Sequence, residues 1–297
     1  MVYVPSATGP FRTGRARVAP DREVAYAEWG DPEGWPVFFF HGLGASRSAA
    51  HPDGRLADAA GARVIAVDRP GIGGSDIERG RRLRSWARDV AAVADALGIE
   101  RYGILAHSGG GPHALACAVE TPGRVTRIGI ASGGAPLAGP VALDHLDAHW
   151  RRIAYVSANA PWVVRAIAWL ESARAIHKSM RAFDRFLLRL PPRDRWILES
   201  PVMKAMIDAG TRETFQQGSR GFYEDALVLS RPWGFGPMDI EHEVTWWHGD
   251  ADSIVPIGWA TTFGALIPRC TLHVYAEEGH FLYLERWREM LESVVRP

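Results

Sequence analysis

Five stretches of this chain carry groups that could do chemistry together: His41-Gly-Leu-Gly44, Asp68, Ser108, the pair Asp250 and Asp252, and His280. Serine is a weak nucleophile at neutral pH and needs an imidazole to take its proton. The imidazole needs a carboxylate to fix its tautomer and to stabilise the imidazolium. Ser, Asp and His occur here in that chain order. Ser108 reads as the nucleophile, His280 as general base and then acid, and Asp250 or Asp252 as the orienting carboxylate. Attack at a carbonyl also creates an oxyanion, which needs preorganised donors. The Gly109 N–H at a helix start and the Leu43 N–H after His41-Gly42 can supply them.

These groups cooperate only if the fold brings them together. Ser108 sits in Ala106-His-Ser-Gly-Gly110, between a short buried strand over 102–105 and an Ala-rich helix. A residue at so sharp a corner must adopt a backbone conformation that most side chains avoid. Small residues two before and two after it let the flanking backbones pass. The pattern is that of the nucleophile elbow, G-x-S-x-G, with Ala106 in place of the first glycine. The unbroken apolar runs 36–40 and 63–67 predict strands buried on both faces. A helical stretch to about Ala60 separates them, and alternation over 15–18 and 22–29 predicts a leading antiparallel hairpin. Leu83, Trp86, Val90, Val93 and Leu97 step as one face of a helix stopped by Gly98. Val125 to Ala131, Val244 to Trp247 and Thr271 to Tyr275 continue the strands, with helices over 257–266 and from about 280 to 295. Strand and helix alternating in this way predict a mostly parallel sheet covered by helices on both faces. In such sheets functional residues gather at the carboxyl ends of the strands, where all five stretches fall.

Between 136 and 236 the alternation stops. Ile176, Met180, Phe183, Leu187 and Leu190 step as a helix ended by Pro191-Pro192, and 193–209 and 211–229 also read as helical. The expected organisation is a core over 1–135 and 237–297, interrupted by a helical cap over 136–236. The insertion holds Trp150, Trp162, Trp169, Trp196 and Trp233 of the 12 tryptophans. Some of its aromatics should line a pocket; the sequence does not say which.

Composition narrows the setting. Net charge is zero, so no long-range field favours nucleic acid or a membrane surface. The cationic residues are nearly all arginine, Lys178 and Lys204 being the lysines. Two cysteines, Cys117 and Cys270, make no disulfide framework and fit a reducing cytoplasm. The first 18 residues lack the apolar core of a signal peptide, and no run approaches a membrane span.

Taken together, His41-Gly-Leu-Gly44, Asp68-Arg-Pro-Gly-Ile-Gly-Gly-Ser75, the elbow, Gly249-Asp-Ala-Asp252 and Gly279-His280 resemble the α/β-hydrolase superfamily, specifically its capped, single-chain bacterial members. The resemblance covers about 36–136 and 233–285. It implies that fold, a role for Asp252 rather than Asp250 through the pattern G-x-x-D, and no cofactor. Dehalogenases and epoxide hydrolases of the superfamily use Asp at the nucleophile position, and Ser108 stands against both. The expected activity is hydrolysis of an uncharged, fairly apolar small-molecule ester or related acyl compound. The alternatives are a C–C bond hydrolase or lyase of the same fold, or a ligand receptor built on it.

Other residues read more plainly. His107 is expected to pack in the site wall, His41 to shape the oxyanion loop, and His113 to be core or solvated. Asp68 and Arg69 begin a structural turn in which Arg69 pairs with a nearby carboxylate. His145 and His149, with Asp144, could face one metal ion, but the intervening Glu of H-E-x-x-H is missing. Gly109-Gly-Gly111 lacks the Lys-Ser/Thr of a phosphate loop, so nucleotide binding is not expected.

Overall fold

Eight strands form one sheet in the computed structural model, which describes residues 8–139, 148–176 and 180–295. They are β1 (Arg12–Ala19), β2 (Arg22–Gly30), β3 (Trp35–Phe40), β4 (Ala62–Val67), β5 (Tyr102–His107), β6 (Val125–Ala131), β7 (Glu243–Gly249) and β8 (Cys270–Tyr275). Their order across the sheet is β1-β2-β4-β3-β5-β6-β7-β8. The hairpin β1–β2 and the β2–β4 pair are antiparallel, and every later pairing is parallel. Phe40 pairs with Ala106, Ala106 with Ile130, and Ile130 with Trp246. The carboxyl ends of β3, β5, β6 and β7 therefore stand in one row, with β5 near its middle.

Side-chain alternation explains why both faces are dry. Phe38, Phe40, Ile104, Ile130 and Trp246 point to one side, packing with α2 (Trp86–Ala96), α3 (Gly110–Glu120) and α10 (Ile257–Phe263). Phe39, Ala66, Leu105 and Trp247 point to the other, against α1 (Arg55–Ala59) and α11 (Trp287–Val294). Strands sandwiched in this way must be apolar at successive positions, which accounts for runs such as Val37-Phe-Phe-Phe40.

The chain leaves the sheet after β6 and returns at β7. Between them, among the described residues, lie α4 (Ala148–Asn159), α5 (Pro161–Ile176), α6 (Met180–Leu187), α7 (Pro192–Glu199), α8 (Pro201–Thr214) and α9 (Arg220–Ser230). Two of the expected helices are broken. The helix over 193–209 divides at Ser200, held at ψ 133° because Pro201 disfavours the helical conformation before it. The helix over 211–229 divides at Gly218, where φ is +91°. The expected helical stretch to Ala60 is also shorter: a single turn at Arg47–Ala49, then α1. Pro52 and Gly54 interrupt it. No helix among the described residues is long and apolar enough to cross a membrane.

A buried ion cluster fastens α9 to the core. Asp225 accepts from Arg69 Nε and Nη2, at 2.8 and 2.7 Å to Oδ2, and also pairs with Arg81. Burial alone would raise its pKa, but the two guanidinium groups hold the carboxyl far below the usual carboxylate range. Asp225→Ala leaves both cations buried without their partner. We expect a loss of about 3–5 kcal/mol in stability at neutral pH, measured by urea unfolding.

Candidate active site

The elbow forms as its residue types require. Ser108 has φ +54° and is 8% exposed. It follows the last residue of β5, its N–H donating to Ala131 O at 2.9 Å on the neighbouring β6. Gly110 opens α3 against the end of β3, where an added Cβ would collide with the Phe40 carbonyl oxygen. The small residue two positions after the serine is thus a packing necessity. Ala106, two before it, is fully buried.

His280 follows β8 and brings its Nδ1 within 2.8 Å of Asp252 Oδ2. A carboxylate can only accept, so Nδ1 carries the proton and Nε2 is left as the basic nitrogen. Asp252 is itself fixed on both oxygens. Its Oδ1 accepts from Ile254 N–H at 2.8 Å and Val255 N–H at 2.9 Å, and His248 Nε2 lies 3.4 Å from Oδ2. Burial would raise the pKa of this carboxyl, yet His280 and His248 hold it far below its usual range. Asp250 turns away instead, accepting from Glu277 N–H at 2.7 Å.

The loop after β3, expected to bind an oxyanion, comes close to the elbow. The Leu43 amide nitrogen lies 3.1 Å from where a Cβ on Gly109 would stand. The two residues expected to donate are therefore close neighbours, and a side chain at 109 would crowd Leu43 and Leu229. Arg69 braces this loop from beneath, donating to the carbonyls of His41 and, at 3.0 Å, Gly42. His41 is buried, its Nδ1–H donating to Gly42 O at 2.9 Å. Burial and the Arg69 charge push its pKa well below that of free histidine. Asp68, also fully buried, accepts from the backbone N–H of Arg47 at 2.7 Å and of Gly74 at 3.0 Å. It closes the turn after β4.

His107 lies in the wall, stacked on Tyr283 with ring centroids 4.2 Å apart. Its Nε2–H donates to His280 O at 3.0 Å, and burial keeps it neutral, its pKa pushed well below the usual value. His113 is fully buried behind the elbow, its Nδ1–H donating to Gly109 O at 2.9 Å. Of the residues weighed as a metal site, His145 and Asp144 lie outside the described residues. His149 faces the cavity described next.

Ser108, His280, Leu43 and Gly109 all open onto one cavity of about 850 Å³ between the sheet ends and the insertion. The aromatics that line it from the insertion are Trp150, Phe186, Phe222 and Trp233. Which aromatics face inward depends on helix packing, and no periodicity in the sequence marked them. Two buried groups also escaped the sequence reading: Asp225, the partner of Arg69, and Asp194 on α7, whose carboxylate reaches the backbone of His280 at 2.8 Å.

Comparison with known proteins was informative. The family model described as "alpha/beta hydrolase fold" matches residues 36–286. A 2-hydroxymuconate semialdehyde hydrolase of Pseudomonas putida is 27% identical over 277 residues, 88% of this chain and 87% of that protein. A protein of the same name from another Pseudomonas strain is 30% identical over 262 residues, 85% of this chain and 82% of that one. Among solved structures, a meta-cleavage product hydrolase from Pseudomonas fluorescens superposes with a TM-score of 0.65 at 21% identity, covering 94% of this chain and 96% of its own.

The geometry separates the two neighbouring carboxylates. Asp252→Asn should cost about 10⁴-fold in kcat while leaving the fold intact, because an amide cannot hold the imidazole in the required tautomer. Asp250→Asn, which keeps an oxygen for Glu277 N–H, should stay near wild type in the same steady-state assay.

Proposed function

The chain belongs to the α/β-hydrolase fold family and is a hydrolase, and on that premise we propose that it cleaves an uncharged, largely apolar acyl compound through a Ser108–His280–Asp252 triad. The observation that carries this reading is the 2.8 Å contact between Asp252 and His280 Nδ1, at the wall of a cavity that Ser108 shares. In this mechanism Ser108 Oγ attacks the carbonyl carbon as His280 Nε2 takes its proton. The oxyanion sits between the N–H groups of Leu43 and Gly109. The imidazolium, held by Asp252, passes the proton to the leaving group as the acyl-enzyme forms. Water activated by the same nitrogen then releases the acid and restores Ser108.

The insertion over 136–236 acts in this reading as a cap. Its helices supply most of the apolar wall, so substrate choice lies there and the chemistry lies at the strand ends. Small, hydrophobic substrates fit such a wall better than peptides do. The supporting feature is the scarcity of charge: among the described residues Arg152 is the one arginine or lysine in the lining.

A second reading is favoured by one specific combination. The two relatives are named as hydrolases of a muconate semialdehyde, which carries a carboxylate, and Arg152 and His149 on α4 stand at the cavity wall. Hydrolysis of a C–C bond beside a ketone in an anionic substrate would use the same triad, with Arg152 taking the carboxylate.

A kinetic panel of 4-nitrophenyl esters against a 2-hydroxy-6-oxo-dienoate decides between the bonds. We expect turnover of the esters, its loss in Ser108→Ala, and no effect of Arg152→Ala on them. Higher kcat/KM for the dienoate, with a KM raised about tenfold in Arg152→Ala, would favour the C–C reading. Full ester turnover in Ser108→Ala would remove both.

A further inference from the structure

We propose that Asp194, on α7 of the insertion, is a positioning residue for His280, gripping the backbone that carries the imidazole and adding a second negative charge beside it. This rests on the triad reading above. Asp194 is completely buried, and both of its oxygens are spent on one loop. Oδ2 accepts from His280 N–H at 2.8 Å and Oδ1 from Phe281 N–H at 3.0 Å. Gly279 makes room for this approach, since any Cβ there would run into the Asp194 carboxylate.

The loop needs such a grip. It leaves β8 through Glu277, whose φ of +61° is a costly conformation for a residue with a side chain. Its first part is tied to the core, by Glu277 N–H to Asp250 Oδ1 at 2.7 Å and by Ala251 N–H to Glu278 O at 3.0 Å. At His280 the carbonyl is held by His107 of the core, while the N–H groups of His280 and Phe281 are both anchored by the insertion. Pro191-Pro192 ends the preceding segment and starts α7, which puts Asp194 in its first turn. Arg193 beside it makes a paired contact of 2.7 Å with each carboxylate oxygen of Glu285, so α7 is strapped to the loop on both sides of Phe281.

The charges facing His280 are few. Asp252 stands at its ring with His248 behind, the neutral His107 ring lies with its centroid 4.7 Å away, and Asp194 stands at its backbone. Burial raises the pKa of Asp194 above the ordinary value, opposed by the two amides and by His280. A proton arriving on His280 during attack would then face Asp252 at the ring and Asp194 at the backbone.

Asp194→Asn keeps the size and removes the charge and one acceptor. Three measurements test the role: kcat, the pH dependence of kcat/KM for 4-nitrophenyl acetate, and hydrogen exchange over 277–284. We expect kcat to fall about 10²-fold with KM nearly unchanged. We also expect the acid limb to move to lower pH by roughly half a unit or more, because the imidazolium loses a stabilising anion. The amides of 280 and 281 should exchange faster. If Asp194→Asn does not fold, Asp194→Glu serves: it keeps the charge but misplaces the grip, so kcat falls while the acid limb stays. Wild-type kcat in Asp194→Glu would overturn the inference, as would an unmoved profile with unchanged exchange in a folded Asp194→Asn. Activity retained in Ser108→Ala would instead overturn the triad reading itself.

Discussion

The left-handed backbone at Ser108 is the constraint on which the site depends. A side chain at φ +54° is sustained only where its surroundings fix it on every side. Here they do so through β5 near the middle of the sheet, the Ser108 N–H bound to β6, and α3 pressed against the end of β3 at Gly110. The same corner sets Ser108 in the cavity wall and brings Gly109 close to Leu43. Strand order, small residues and the placing of Ser108 are one arrangement.

Around that corner three of the buried carboxylates, Asp225, Asp252 and Asp194, are each matched to a different backbone or side chain. Asp225 neutralises Arg69, whose other donors hold the carbonyls of the oxyanion loop. Asp252 answers His280 at its ring, and Asp194 answers it at its backbone. An unpartnered charge at such positions would be prohibitive, so each carboxylate fixes the groups around it as firmly as they fix it. Two of the three, Asp225 and Asp194, come from the insertion. The insertion is therefore fastened both to the loop after β3 and to the loop that carries His280.

Much of this was legible in the sequence. Apolar runs bounded by glycine-rich corners are local signals, and they placed β3, β4, β5 and β7. The small residues about Ser108 likewise express steric needs that act within a few residues. What stayed hidden depends on contacts across the chain. Arg69 was expected to find a carboxylate, but Asp225 lies 156 residues away on a helix whose own periodicity says nothing of that partner. Asp194 looks like an ordinary first-turn acid, and only the approach of Gly279 gives it another use. The breaks at Ser200 and Gly218 were present as a proline and a glycine, yet helix propensity on either side masked them. The cavity wall draws on α4, α5, α6, α8 and α9, follows from how they pack, and was not readable residue by residue.

The most direct test of the account is labelling with a fluorophosphonate, with mass spectrometry to locate the adduct. An activated serine in this geometry should take the label at Ser108 and lose it in His280→Ala. A folded protein that takes no label, or takes it elsewhere while Ser108 stays unmodified, would contradict the assignment of Ser108 as the nucleophile.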